Sequence, residues 1–465
     1  MKHDMFFLAA ATAAIAAAGP RAAAETPGAG AAAPAVTVAV SPERRVLASD
    51  SPETVVVKVG LAGAALPAGD RPALNLALVI DRSGSMGGDR IQKAREAAVA
   101  AVERLDERDY VSVVVFDDRV DVIAGAQTAS ELNKAAIIEK ILAVEARGST
   151  AIFGGVSAGA AELRKNLARK LVNRIVLLSD GAANVGPSSP EELGRLGASL
   201  VKEGISVSTL GVGLGYNENL MAALAGRSDG NTYFIENGGD VPRIFDAELG
   251  DAFQVAARDV KLVVRFRGAN PVGLVGRDGR VEDGTVSVEF NQICSRQEKY
   301  VLVRTEFPAG KDGEVRDFAT AEASWTAPGS GESGTASASC AVSFSAEARK
   351  VRESTDATVV AQSVKTENAA RTAEALRLSA AGDREGAKSK WRLNMSRAAS
   401  ARALVGSLDM KSAAVSSAAA ELDADIVWEL DNERNYVEPS AGAAKGMRAR
   451  SFQIENQQNT WQEGL

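Results

Sequence analysis

The chain has 465 residues, 46% of them hydrophobic, and a formal net charge of −7. That length exceeds one core and predicts two or three domains, and the acidic balance argues against non-specific nucleic-acid binding. The only histidine is His3, which excludes Ser-His-Asp and Cys-His nucleophilic catalysis and histidine-dependent zinc sites from the remainder of the chain.

Residues 1–24 read as a secretory signal peptide. Lys2 supplies the initial charge, residues 6–18 an apolar stretch, and Ala22-Ala23-Ala24 a small-residue cleavage site. Cleavage removes Lys2 and Arg21 against Asp4, which takes the charge from −7 to −8. A short membrane anchor is the alternative, but the apolar stretch falls below the roughly 18 residues of a spanning helix. No cysteine lies nearby for lipid attachment, and no other segment reads as a span. The mature protein is therefore expected in the periplasm or secreted.

Residues 25–35, rich in Ala, Pro and Gly, predict a flexible N-terminus. Residues 36–71 hold two β-branched runs, 36–40 and 54–59. From 72 to 240 the pattern alternates. Strands are predicted at 74–80, 110–116, 174–179, 206–212 and 232–235, with helices at 90–105, 131–143, 152–167, 191–202 and 217–225. Such alternation predicts an α/β fold, a doubly wound, mostly parallel sheet covered on both faces. Residues 255–345 return to short β-like runs separated by turns and predict a β-sandwich. Pairing of the 36–71 strands with this later set would make the α/β domain an insertion in the sandwich; an independent N-terminal hairpin is the alternative. Residues 346–431 predict a helical region broken at Gly382-Asp383. Residues 436–465 predict a polar, mobile tail. Cys294 and Cys340 lie in the strand-rich stretch, where an exported chain is expected to form a disulfide, with two buried thiols as the alternative.

The most informative feature follows the apolar run 74–80. Asp81-Arg82-Ser83-Gly84-Ser85 delivers three oxygen-bearing side chains into one loop at a strand's carboxyl end, where ligands of α/β sheets collect. Oxygen donors suit a hard divalent cation such as Mg²⁺. Two later loops offer partners: Thr150 in Gly148-Ser149-Thr150, before a helix, and Asp180 in Ser179-Asp180-Gly181, after an apolar strand. In a parallel sheet these strand ends share one edge.

These three motifs, in this order and approximate spacing, resemble the metal-ion-dependent adhesion site of von Willebrand factor type A domains. The resemblance covers roughly residues 72–237 and extends to Leu210-Gly211-Val212-Gly213 with Asn217-Glu218 and Leu220-Met221. The pattern is similar to that of exported bacterial proteins, calcium-activated chloride-channel-like proteins and inter-alpha-trypsin-inhibitor heavy chains, loosely so in the flanking β regions. The resemblance implies Ser83 and Ser85 as direct ligands, with Asp81, Thr150 and Asp180 completing the shell and one position open to a partner's carboxylate. Mg²⁺, Mn²⁺ and Ca²⁺ all remain candidates.

Other signals are weaker. Gly211-Val212-Gly213-Leu214-Gly215 lacks the full dinucleotide-loop spacing. Asp106-Glu107 and Asp117-Asp118 read as solvated acids before a second cation site, and Trp391 and Trp428 as packing residues. The expected function is a non-enzymatic, exported, metal-dependent protein-binding module that engages an Asp or Glu of a protein partner. The alternative is an assembly scaffold that binds through residues 346–431 and keeps a structural metal. A hydrolase using metal-bound water has no general base placed by motif.

Overall fold

The computed structural model describes residues 34–457, apart from 67–70, 170, 182, 214–215, 236–243, 245–247, 251–253, 278 and 436–440. The predicted signal peptide and nearly all of the predicted flexible N-terminus lie outside the described residues.

The chain opens with β1 (Val36–Pro42), β2 (Val46–Ala48) and β3 (Glu53–Gly63). It then enters the α/β region through β4 (Leu74–Asp81), whose eight residues are all buried. Such a run has to be covered on both faces, and side-chain alternation decides which residue goes where. Leu74, Leu76, Leu78 and Ile80 pack on one face with helix α1 (Asp89–Glu103) and helix α2 (Glu131–Leu142). Ala77 and Val79 pack on the other with α3 (Ile152–Arg164), α4 (Pro190–Val201) and α5 (Glu218–Arg227).

The sheet adds β5 (Tyr110–Phe116), β6 (Val120–Thr128), β7 (Val172–Ser179), β8 (Ile205–Val212) and β9 (Thr232–Ile235). Its order is β6-β5-β4-β7-β8-β9, parallel except for the β5–β6 pair. β4 thus sits between β5 and β7, and its carboxyl end lies beside theirs. Strand β6 is absent from the sequence expectation. It is an edge strand with only Ala124 buried, and the consecutive Val122-Ile123-Ala124 and then Gly125 break the alternation that would mark it.

After the α/β region run β10 (Val255–Phe266), β11 (Asn270–Val275), β12 (Arg280–Glu282), β13 (Thr285–Cys294), β14 (Glu298–Phe307), β15 (Val315–Thr326) and β16 (Ser333–Ser345). One sheet has the order β1-β3-β14-β11 and the other β12-β13-β10-β15-β16-β2. The register Val59↔Val301 and Val57↔Val303 joins a strand before the α/β region to one after it. Both sheets share a core that includes Val59, Leu61, Leu262, Phe290, Phe307, Phe318 and Phe344. The α/β domain is therefore inserted in a β-sandwich.

The expected disulfide is not there. Cys294 lies opposite Val255 at the start of β10. Cys340 lies opposite Ala319, which pairs with Phe266 at the end of β10. Two strands separate β13 from β16, a span of about 14 Å across the sheet alone, whereas a disulfide needs Cα atoms within about 7 Å. The thiols sit at opposite ends of one sheet and are not bonded to each other.

Helices Ala348–Glu353, Ala357–Ala380, Arg384–Gly406 and Ala413–Asn435 follow. The break falls at the expected place: Asp383 caps Arg384–Gly406 by accepting from the Gly386 N–H at 2.9 Å. Trp391 is fully buried in this bundle. No helix among the described residues is long and apolar enough to cross a membrane. The stretch expected to be a polar tail contains a helix, Ala441–Glu455. Its glycines and charged residues hide a buried face on which Phe452 packs against Ala222 and Ala225 of α5.

Candidate metal centre

The loop after β4 is anchored from below. Met86 is fully buried in the sheet core, so residues 83–86 fold tightly against it before α1 starts. Asp81 is fully buried and both its carboxylate oxygens are used. Oδ1 accepts from the Ser83 N–H at 2.8 Å, and Oδ2 accepts from the Ser179 hydroxyl at 2.5 Å. The Ser83 and Ser85 hydroxyls lie 3.0 Å apart. Ser83 is buried, while Ser85 is exposed.

The other two loops are tied in by backbone. The Gly84 N–H donates to Gly148 O at 3.0 Å, which joins the first loop to the segment carrying Thr150. Thr150 is buried, and its N–H donates to Asn184 Oδ1 at 2.8 Å. Asp180 is buried at the end of β7. Its carbonyl accepts from the Asn217 N–H at 3.1 Å, and Gly181, at φ +66°, turns the chain where a Cβ would meet Asn217 N at 2.9 Å. The structure thus unites Asp81, Ser83 and Ser85 by direct hydrogen bonds. Asp180 lies close enough to repel Asp81's charge, and Thr150 reaches the cluster through its loop.

Burial is the largest influence on the Asp81 carboxyl and pushes it up to about 6. Hydrogen bonds from Ser179 and Ser83 oppose that push, and the negative charge of Asp180 adds to it. Two buried carboxylates beside paired hydroxyls form a set that a hard divalent cation fits, because the ion would supply the positive charge that burial withholds.

Four residues to which the sequence assigned no ligand role shape this place. Ser179 bridges Asp81 and the Gly181 N–H, the latter at 2.8 Å. Asn184 holds Thr150. Arg90 Nη1 donates to Ser85 O at 2.8 Å and to Asp180 Oδ2 at 3.3 Å. Arg82 donates to Asp117 Oδ2 at 2.9 Å and also bonds Asp121. Ser179 was legible as part of the Ser-Asp-Gly motif; the others depend on chain segments far apart in sequence. Of the discounted acids, Asp106 and Asp117 are arginine partners. Burial pushes the Asp117 carboxyl up, but hydrogen bonds from Arg147, the Arg119 N–H and Arg82 outweigh it and hold it low. Asp106 is held at about 2, chiefly by its hydrogen bond from Arg108 and also by the charge of Arg71.

Comparison with known proteins matches part of the chain to a domain family. Residues 75–247 match the von Willebrand factor type A domain. An uncharacterized protein of Synechocystis sp. is 35% identical over 167 residues, which is 36% of this chain and 39% of that protein. An uncharacterized protein of Escherichia coli is 30% identical over 45% of this chain and 38% of its own length. An inter-alpha-trypsin inhibitor heavy chain of Rattus norvegicus is 31% identical over 37% of this chain and 19% of its own length. The chain therefore spans under two fifths of each of these relatives. Among solved structures, a von Willebrand factor type A protein from Catenulispora acidiphila superposes with TM-score 0.66 at 16% identity, covering 91% of this chain and 96% of that one. An ArnB paralog from Sulfolobus acidocaldarius gives TM-score 0.57 at 14% identity, covering 90% and 98%. These likenesses show a shared fold that takes in the flanking regions as well as the α/β domain.

Proposed function

Because residues 75–247 of this chain are a von Willebrand factor type A domain, a type that commonly serves protein interaction, we propose that the protein is an exported, non-enzymatic binding module whose Mg²⁺ ion engages an acidic side chain of a partner protein. The residues that would hold the ion are Asp81, Ser83, Ser85, Thr150 and Asp180. Mn²⁺ or Ca²⁺ would suit the same oxygen donors. The observation that carries this reading is the buried pair Asp81 and Asp180 beside hydroxyls 3.0 Å apart. Two carboxylates only balance a divalent charge, and the hydroxyls add none, so a bound ion keeps attraction for a further carboxylate. Its place is the periplasm or the extracellular medium, on the strength of residues 1–24.

The test is capture of exported partners by the mature protein with Mg²⁺ or EDTA, beside Asp81→Asn, which keeps the oxygen accepting from the Ser83 N–H. Capture that requires both the metal and Asp81 supports the reading; equal capture in all conditions sinks it. Mg²⁺ at about a hundred times its Kd should also stabilise the wild type by about 2.7 kcal/mol. Asp81→Asn should lose this increment in calorimetry.

A second reading has its own support. Helix Ala441–Glu455 links the helical region to the domain, since Lys445 bonds Tyr216 O and lies 3.3 Å from Glu218. A scaffold that binds through residues 346–431, with the ion only structural, would use the bundle's exposed Leu393 and Val427. Leu393→Asp with Val427→Asp would then abolish capture while metal removal left it intact.

A further inference from the structure

The Arg90 guanidinium stands where a cation is wanted. It belongs to the second residue of α1, next to the positive end of the helix dipole, where a basic side chain is locally unfavourable. The Gly88 cap provides no side-chain hydrogen bond, and Asp89 is the acidic residue of the first turn. The Arg90 side chain runs across three loops. Nη1 reaches Ser85 O at 2.8 Å and Asp180 Oδ2 at 3.3 Å. Its stem lies over Gly213, whose φ is +77° and where a Cβ would come within 2.8 Å of Nε. The last strand end before α5 is thus kept bare for this arginine. About a third of the Arg90 side chain is exposed, against 2% of Asp180.

We propose that Arg90 is a positioning residue for the metal centre, the internal counter-ion of Asp180 that a divalent cation must share or displace. This rests on the metal reading given above. Asp180 is buried and needs positive charge whether or not an ion is bound. Without the ion, the guanidinium supplies it and pins the Asp180 loop to Ser85. With the ion, two cations face one carboxylate and repel each other at close range. Arg90 therefore stabilises the ion-free centre and weakens ion binding.

The test is direct Mn²⁺ titration of the full mature chain by calorimetry and electron paramagnetic resonance, with thermal unfolding in EDTA alongside. Arg90→Gln should bind Mn²⁺ about tenfold more tightly, since about 1.4 kcal/mol of lost repulsion corresponds to that factor, and should melt at a lower temperature than wild type in EDTA. Arg90→Lys restores the charge and should return the affinity toward wild type, which a purely structural role would not do. Asp81→Ala controls for binding elsewhere and should abolish the titration. Wild-type binding with unchanged or weaker affinity in Arg90→Gln overturns the counter-ion role and leaves the metal reading standing. Binding in neither protein overturns both.

Discussion

Replacing Asp229 should cost this protein about 3–5 kcal/mol, the expected penalty for stripping a buried charge pair of one partner. Asp229 follows α5, in a left-handed turn at φ +53° that aspartate tolerates. Its carboxylate reaches out of the α/β domain into the sandwich. It accepts from the Asn291 N–H at 2.8 Å, the Gln292 N–H at 3.3 Å and Lys299 Nζ at 2.8 Å, and it lies 3.6 Å from Arg277. Lys299 is itself buried. Burial alone would push the Asp229 carboxyl up, yet Lys299 and Arg277 together hold it below the ordinary carboxylate range. A carboxyl held low stabilises the fold at pH values above its unfolded range, and that stability is lost as pH falls through the depressed value. Asp229→Asn tests the charge with the turn preserved, and Asp229→Ala adds the strain of the left-handed backbone. Both should lower the unfolding midpoint in urea, Ala more than Asn. A shift under about 1 kcal/mol in both, the range of an exposed pair, would show that the domains are held by apolar packing instead.

The second large effect has the opposite sign with pH. Glu429 is fully buried in the helical bundle, where it accepts from Asn394 Nδ2 at 3.0 Å and Thr372 Oγ1 at 3.4 Å. Burial, and then the charge of Asp425, push its carboxyl up to about 8. Asp425 is also raised by burial, against the charges of Lys365 and Arg450. Arg371 points to Asn394 and to Glu367. A group whose folded pKa is raised contributes stability that is complete below its unfolded value. That stability declines as pH rises and is gone above about 8. The bundle should therefore lose roughly 2–4 kcal/mol between pH 5 and pH 9. Glu429→Gln keeps an acceptor for Asn394 and cannot ionise, so it should flatten this alkaline limb and outlast the wild type at pH 9. A wild-type melting temperature that does not change over this interval would show that Glu429 is ionised and paired throughout.

The candidate metal centre divides in a similar way between near and distant sequence. Asp81, Ser83 and Ser85 share a five-residue loop, and the apolar strand before it announces where that loop must lie. Thr150 and Asp180 were reachable because each sits at a strand or helix end, and the alternating pattern puts those ends on one edge. Ser179 donating to Asp81, and Arg90 lying over Gly213, join residues 98 and 123 positions apart. No local pattern encodes which hydroxyl or guanidinium arrives.

The same division holds for the fold. Strand β4 and its parallel neighbours were legible because strands buried on both faces are continuous apolar runs, and the helices between them because a 3.6-residue period is written locally. Other features belonged to the tertiary structure alone. Strand β6 gains its place from pairing with β5, although only Ala124 in it is buried and its pattern is broken. Helix Ala441–Glu455 gains its place from the α5 face that receives Phe452. Cys294 and Cys340, close in kind and compartment, are set apart because β10 and β15 lie between their strands. Sequence by itself determined the elements whose burial pattern repeats along the chain. Only the tertiary structure decided the pairings between distant segments, because their energy comes from neighbours the local sequence does not contain.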